Sequence, residues 1–236
     1  MTPCKPIIFS GPMVRAILAG TKTQTRRIVK DVPMFSADYD RQWNPHVCLP
    51  SGACPEHWTW WEGPAHGPSI YHTAKLPYAP GDLLWVREAW GWLQIASMPP
   101  SPDYPQFLKY RGTEPDAFAE WRSPIHMPRW ASRITLEVTA VRVQRLQDIS
   151  EDDAKAEGAT ERPECCGYGS LDPGWCMDWS RVGTKSRYSG NILQERDIAM
   201  SMPRWAFASF WNSIHGTEAW NANPWVAAYS FRRVMG

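Results

Sequence analysis

The segment Leu18–Arg27, "LAGTKTQTRR", sets out one lysine, three threonines and two arginines within seven residues, directly after a glycine. Such a set can do chemistry. A threonine hydroxyl is a weak nucleophile until a base takes its proton, and a lysine serves as that base only when burial or neighbouring cations bring its pKa toward neutrality. Lys22 and Thr25 are three residues apart, so a helical or turn conformation would bring both to one face. Arg26, Arg27 and Arg87 are the cations expected to depress the lysine, and backbone amides around Gly20 are the expected donors to the oxyanion of an amide hydrolysis. The purely structural alternative is that lysine and arginine follow a helix C-terminus because its dipole favours cations.

The elements that must position these groups are legible on both sides. Pro12 suits a first helical position, Met13, Ala16 and Ile17 recur at helical spacing, and Gly20 can take the left-handed turn that ends the helix. Pro6–Phe9 reads as a strand feeding that helix, and Leu83–Arg87 as a buried strand after the turn residues Pro80-Gly81-Asp82. In "SRITLEVTAVRVQRLQ", Ile134, Leu136 and Val138 alternate, then Val141 and Val143 alternate in the other parity. This predicts a bulge near Thr139-Ala140, a device that curves a strand around a barrel. Ser150 is placed to cap a short helix running to Gly158, Pro203–Ile214 reads as a helix with Phe207, Phe210, Trp211 and Ile214 on one face, and Trp225–Arg232 as a closing strand.

Three stretches, 31–77, 98–128 and 160–201, fit no element well and are longer than ordinary connections, so they read as insertions into one domain spanning residues 1–236. The chain has 236 residues, 43% of them hydrophobic, and 15 Trp, ample for one packed core. Twenty-five Lys and Arg stand against 24 Asp and Glu, which argues against a surface that neutralises many phosphates of a long nucleic acid. No run reaches the ~18 apolar residues of a membrane span and the N-terminus lacks the layout of a signal peptide, so a cytoplasmic protein with no membrane partner is expected.

"ILAGTKTQTRR", the turn-strand "PGDLLWVRE" and "LEVTAVRVQRLQDISEDDAKAEG" together resemble the ASCH family, small barrels related to the PUA-like RNA-binding fold. The likeness covers about half the chain and is most similar to the bacterial N4-acetylcytidine amidohydrolases, which remove an acetyl group from the exocyclic nitrogen of cytidine. The resemblance implies an α+β fold with a PUA-like barrel, short flanking helices and long loop insertions. It also implies a catalytic set of Lys22, Thr25 and Glu157, with Glu157 on the short helix after the long strand. Its bland alternative is a solvated helix residue. A modified nucleoside or nucleotide is the implied ligand, with Arg26, Arg27, Arg87 and Trp130 as binding residues. The family also contains members thought to bind or cut RNA, and the insertions are similar to those of prophage-encoded members. The alternative function is therefore a nucleic-acid-binding module, a ribonuclease or a phage regulatory protein, without amidohydrolase chemistry.

Two weaker constellations lie in the insertions. Cys48, Cys54, His57, His66 and His72 in the first, with Cys165, Cys166 and Cys176 in the third, could supply a structural zinc, although their spacing matches no paired short-knuckle pattern. The expectation is free thiols and no cofactor. Trp58, Trp60, Trp61, Trp121, Trp130, Trp175 and Trp179 are mostly core or loop anchors, with Trp130, beside Arg129, the one best suited to stack on a base.

Overall fold

The computed structural model describes residues 4–30, 57–62, 70–93, 99–115, 117, 119–166, 173–185 and 191–234. In chain order these form β1 (Lys5–Ile8), α1 (Gly11–Leu18), β2 (Gln24–Ile28), β3 (His57–Glu62), β4 (Ile70–Lys75), β5 (Leu83–Arg87), β6 (Trp90–Leu93), β7 (Leu108–Tyr110), β8 (Ala119–Arg122) and β9 (Thr135–Arg145). They continue with α2 (Glu151–Ala156), β10 (Thr160–Cys166), β11 (Pro173–Cys176), α3 (Glu195–Ile198), α4 (Pro203–His215) and β12 (Trp225–Val234). The protein is mixed α+β, mostly sheet with a few short helices. Among the described residues no helix is long and apolar enough to cross a membrane.

The four segments read as strands do join one sheet, in the order β1-β5-β9-β12-β2. The parity switch in β9 is realised as a bulge, because Ser230 faces Ala140 while Phe231 faces Val138, leaving Thr139 as the extra residue. A bulge of this kind bends its strand and tightens the local twist. The sheet still does not close among the described residues: β1 pairs only with β5, and β2 only with β12. Its inner face buries Ile7, Phe9, Leu84, Val86, Leu136, Val138, Tyr229 and Phe231, and Val14 and Ile17 of α1 pack into that cluster. A second cluster joins Leu146, Ile149 and Ala154 around α2 to Phe207 and Trp211 of α4.

The three long stretches carry strands that the sequence pattern hides. β3 and β4 form a hairpin in the first, β7 and β8 flank β6 in the second, and β10 and β11 pair in the third. Several are only three or four residues long and rich in Trp, Gly or Pro, too short for alternation to register. Arg15 of α1 holds two of these stretches, donating from Nη1 to Gly112 O at 2.9 Å and from Nη2 to Ser180 Oγ at 3.0 Å.

Two turns fix how α1 meets α2. Gly20 has φ +78°, and the amides of Gly20, Thr21 and Lys22 donate back to Ile17 O, Ala16 O and Ala16 O. Ser150 Oγ accepts from Asp153 N at 3.1 Å, the expected cap of α2. Gly158 ends that helix with φ +108°, and a Cβ there would lie 3.3 Å from Ala16 Cβ and 3.5 Å from Lys22 Cβ. Both the backbone and the neighbouring helix therefore require glycine. Gly158→Ala is expected to cost roughly 1–3 kcal/mol in equilibrium urea denaturation. An unchanged midpoint would show that α1 and α2 are not held by this turn.

Candidate active site

Glu157 is the residue on which the site converges. It follows the last turn of α2 and is 3% exposed. Its Oε2 accepts from Lys22 Nζ at 2.6 Å, its Oε1 from Arg26 Nη1 at 3.0 Å, and its backbone oxygen accepts a second bond from Lys22 Nζ at 2.8 Å. Behind this pair, Arg26 Nη2 donates to Asp153 Oδ2 at 2.8 Å, and Asp153 Oδ1 accepts from Arg142 Nη2 at 2.7 Å. Gln24 bridges the layer, accepting from Arg26 Nη1 at 2.6 Å and donating to Asp153 Oδ1 at 3.2 Å.

The arginines expected to depress the lysine are not what chiefly lowers its pKa. Burial does: desolvation pushes the Lys22 ammonium below its ordinary 10.5, Glu157 acts to raise it, and Arg27 and then Arg26 add to the lowering. Arg87 is not among the groups that act on it. Burial alone would raise the Asp153 carboxyl, yet Arg142, Arg26 and Gln24 bring it below its ordinary value.

Beside this array lies a cavity of about 350 Å³, lined by Thr25, Arg26, Arg27, Glu157, Ser10, Phe9, Met13 and, from α4, Phe207, Phe210, Trp211, Ile214 and His215. The apolar face of α4 thus divides its work. Phe207 and Trp211 are buried, whereas Ile214 is 50% exposed and walls the cavity instead of filling the core. A second cavity of about 1020 Å³ runs along β1 and β2 and shares Ile8, Arg26, Arg27 and His215 with the first.

The structure gathers Lys22, Thr25, Glu157, Arg26 and Arg27 at one place, in a geometry different from the expected one. Thr25 lies in a strand, not on a helical face, and Lys22 precedes that strand, 2% exposed. Lys22 therefore sits behind Glu157. Thr25 and Glu157 line the cavity and Lys22 does not. The amides around Gly20 are committed to the end of α1, and Thr23 N donates to Ala156 O at 2.8 Å, so the expected oxyanion donors are occupied. Arg27 Nη2 donates to Ile8 O at 2.6 Å. Arg87 lies over Trp85, 4.6 Å from its ring centroid, and lines only the larger cavity. Trp130 stacks edge-on against Trp90 at 6.4 Å and lines neither cavity.

Sequence reasoning missed His215, Gln24 and the role of Asp153. His215 extends the α4 face by four residues beyond Trp211, and the two rings lie 4.2 Å apart. Partial burial, then Arg27, lowers its pKa. Among the described residues no group of His, Cys, Asp and Glu is arranged to hold a metal. Cys48, Cys54 and His66 lie outside the described residues, Thr160 pairs with the buried Cys176 across the β10–β11 hairpin, and Cys4 and Cys176 are free thiols.

No family model matches the chain, and neither a curated protein nor a solved structure matches it.

The geometry makes Glu157 the hub. Glu157→Leu leaves Lys22 and Arg26 facing each other and is expected to cost roughly 3–5 kcal/mol, the range for breaking a buried ion pair. Lys22→Met leaves the carboxylate with Arg26 and should cost less. Urea denaturation of both variants checks the order, and a larger loss for Lys22→Met would remove Glu157 from that role.

Proposed function

We propose that this is an ASCH-type protein with a PUA-like fold, and that its smaller cavity binds an acylated cytidine and hydrolyses the amide on the exocyclic nitrogen. One observation carries the reading: a threonine and a buried carboxylate share the wall of a mostly apolar cavity, and a lysine of lowered pKa bonds that carboxylate from behind. The cavity volume falls at the small end of ligand sites, suited to one base. A cytoplasmic location goes with the free thiols of Cys4 and Cys176.

In this reading Thr25 Oγ1 attacks the acyl carbon and its proton passes to the Glu157–Lys22 pair. The carbon–nitrogen bond breaks as that proton moves to the departing amine of the base. Water then attacks the threonine ester and gives its proton to the same pair, which returns it to Thr25 Oγ1 as the acid leaves. The aromatic wall of α4 excludes water and stacks on the base.

Incubation with N4-acetylcytidine should release cytidine, and Lys22→Met, Thr25→Ala and Glu157→Gln should each remove most of the activity, with double variants adding little. The sign of the pH dependence follows from the lysine. Neutral Lys22 is the active form, so kcat/KM should rise with pH along an acid limb centred below 10.5. Glu157→Gln removes the charge that favours the ammonium, so the limb of any residual activity moves to lower pH. Full activity in Thr25→Ala would leave an activated water as nucleophile. No turnover of any acylated cytidine by the folded protein would favour the nucleic-acid-binding alternative.

A further inference from the structure

Several arginines meet a carboxylate directly, among them Arg26 with Glu157 and Asp153, Arg133 with Glu88, Arg142 with Asp153 and Arg232 with Glu137. Arg27 and Arg87 do not. Arg27 Nη2 donates to the carbonyl of Ile8 at 2.6 Å and Arg87 Nη1 to the carbonyl of Ile125 at 3.2 Å. Among the described residues neither has a carboxylate partner. Topology brings both to the same end of β1, because Arg87 is the register partner of Ile8 on β5 while Arg27 reaches across the sheet opening to the Ile8 oxygen.

Both line the larger cavity, together with Lys5, Arg26, Lys30 and Lys75, and no Asp or Glu is among its described lining residues. Two guanidinium groups without an ion pair among the described residues, at one end of a cavity whose described lining holds no Asp or Glu, are matched to a compact dianion, since arginine offers paired donors to phosphate oxygens. A second observation points the same way. Tyr229 also lines this cavity, is 0% exposed, and its hydroxyl has no hydrogen-bond partner among the described residues. A buried orphan donor is costly unless something accepts from it, and a phosphate oxygen would.

We propose that the larger cavity binds a terminal phosphate, so that the substrate is an acylated cytidine nucleotide bearing a 5′-monophosphate and not the free nucleoside. The proposal rests on the amidohydrolase reading for the occupant of the smaller cavity. The shared Ile8, Arg26, Arg27 and His215 make the two cavities neighbours, so a base held in one directs its sugar and phosphate into the other. A single phosphate suits the site better than a strand, because the chain's formal net charge is +1 and a long nucleic acid demands many neutralising cations.

The test compares kcat/KM for N4-acetylcytidine, its 5′-monophosphate and a short oligoribonucleotide with an internal N4-acetylcytidine. The monophosphate is expected to be preferred over the nucleoside by about ten-fold or more, the gain of one charge-assisted contact. Arg87→Gln should bring the nucleotide-to-nucleoside ratio toward one, Arg87→Lys should restore part of it, and Tyr229→Phe should lower it without lowering the unfolding midpoint. Equal use of nucleoside and nucleotide overturns the phosphate site while leaving the hydrolase reading standing, and so does an Arg87→Gln ratio equal to that of the unaltered protein. An oligonucleotide turned over faster than the monophosphate overturns it in favour of RNA. If nothing is hydrolysed, calorimetry with cytidine and cytidine 5′-monophosphate decides separately. Tighter binding of the monophosphate, abolished in Arg87→Gln, upholds the phosphate site as the hydrolase reading falls, and equal binding removes both.

Discussion

The structure depends on one buried carboxylate. Glu157 accepts from Lys22 and Arg26, whose side chains are both fully buried. Removing such charges from water costs several kcal/mol apiece and is repaid only by close and complete pairing. That demand explains the local design around it. α1 must end sharply at Gly20, α2 must end sharply at Gly158, and Thr23 N must dock on Ala156 O before the lysine and the carboxylate can meet. The cluster sets three cations, Lys22, Arg26 and Arg142, against the carboxylates of Glu157 and Asp153. Two of its members are arginines, which do not give up their protons. The remaining cation is Lys22, and burial weakens its hold on its proton.

The openness of the sheet is the second constraint. Had β1 and β2 paired, their edges would have filled the space that the two cavities occupy. Among the described residues, a side-chain bond from Arg27 to Ile8 O crosses the opening instead. A strand edge unpaired among the described residues ordinarily needs protection, and Arg27 bridges this one to Ile8.

Much of the frame was legible because its signals are local. Pro12, Gly20, Ser150 and Gly158 mark helix ends by backbone preference, and the parity switch around Thr139 marks the bulge. The contents of the long stretches were not legible, since β7 and β8 are defined by pairing with β6 and not by any pattern of their own. The strand β2 was hidden for another reason. Lys22 and Thr25 looked like a turn pair because three of the residues between Gly20 and Arg26 are polar threonines, and nothing local reveals that Gln24 and Arg26 are buried against Asp153. Trp130 was assigned by residue type, and type does not say that its ring packs against Trp90.

The arginine pair shows how much work a five-residue strand can do. Side chains alternate along β2, so Gln24 and Arg26 serve the network beneath α2, while Thr25 and Arg27 share the parity of their partners Tyr229 and Ala227 on β12. Two guanidinium groups on adjacent residues need space on both faces, and the register provides it: Arg26 lies opposite Ala228 and Arg27 opposite Ala227. Larger residues at those two positions would occupy volume that the guanidinium groups require. The run "VAAYS" in the closing strand is thus the complement of "QTRRI", small where β2 is large and large only at Tyr229, beside the small Thr25. That complementarity seats Thr25 beside Tyr229 and gives the two guanidinium groups of β2 room opposite Ala227 and Ala228 of the last strand.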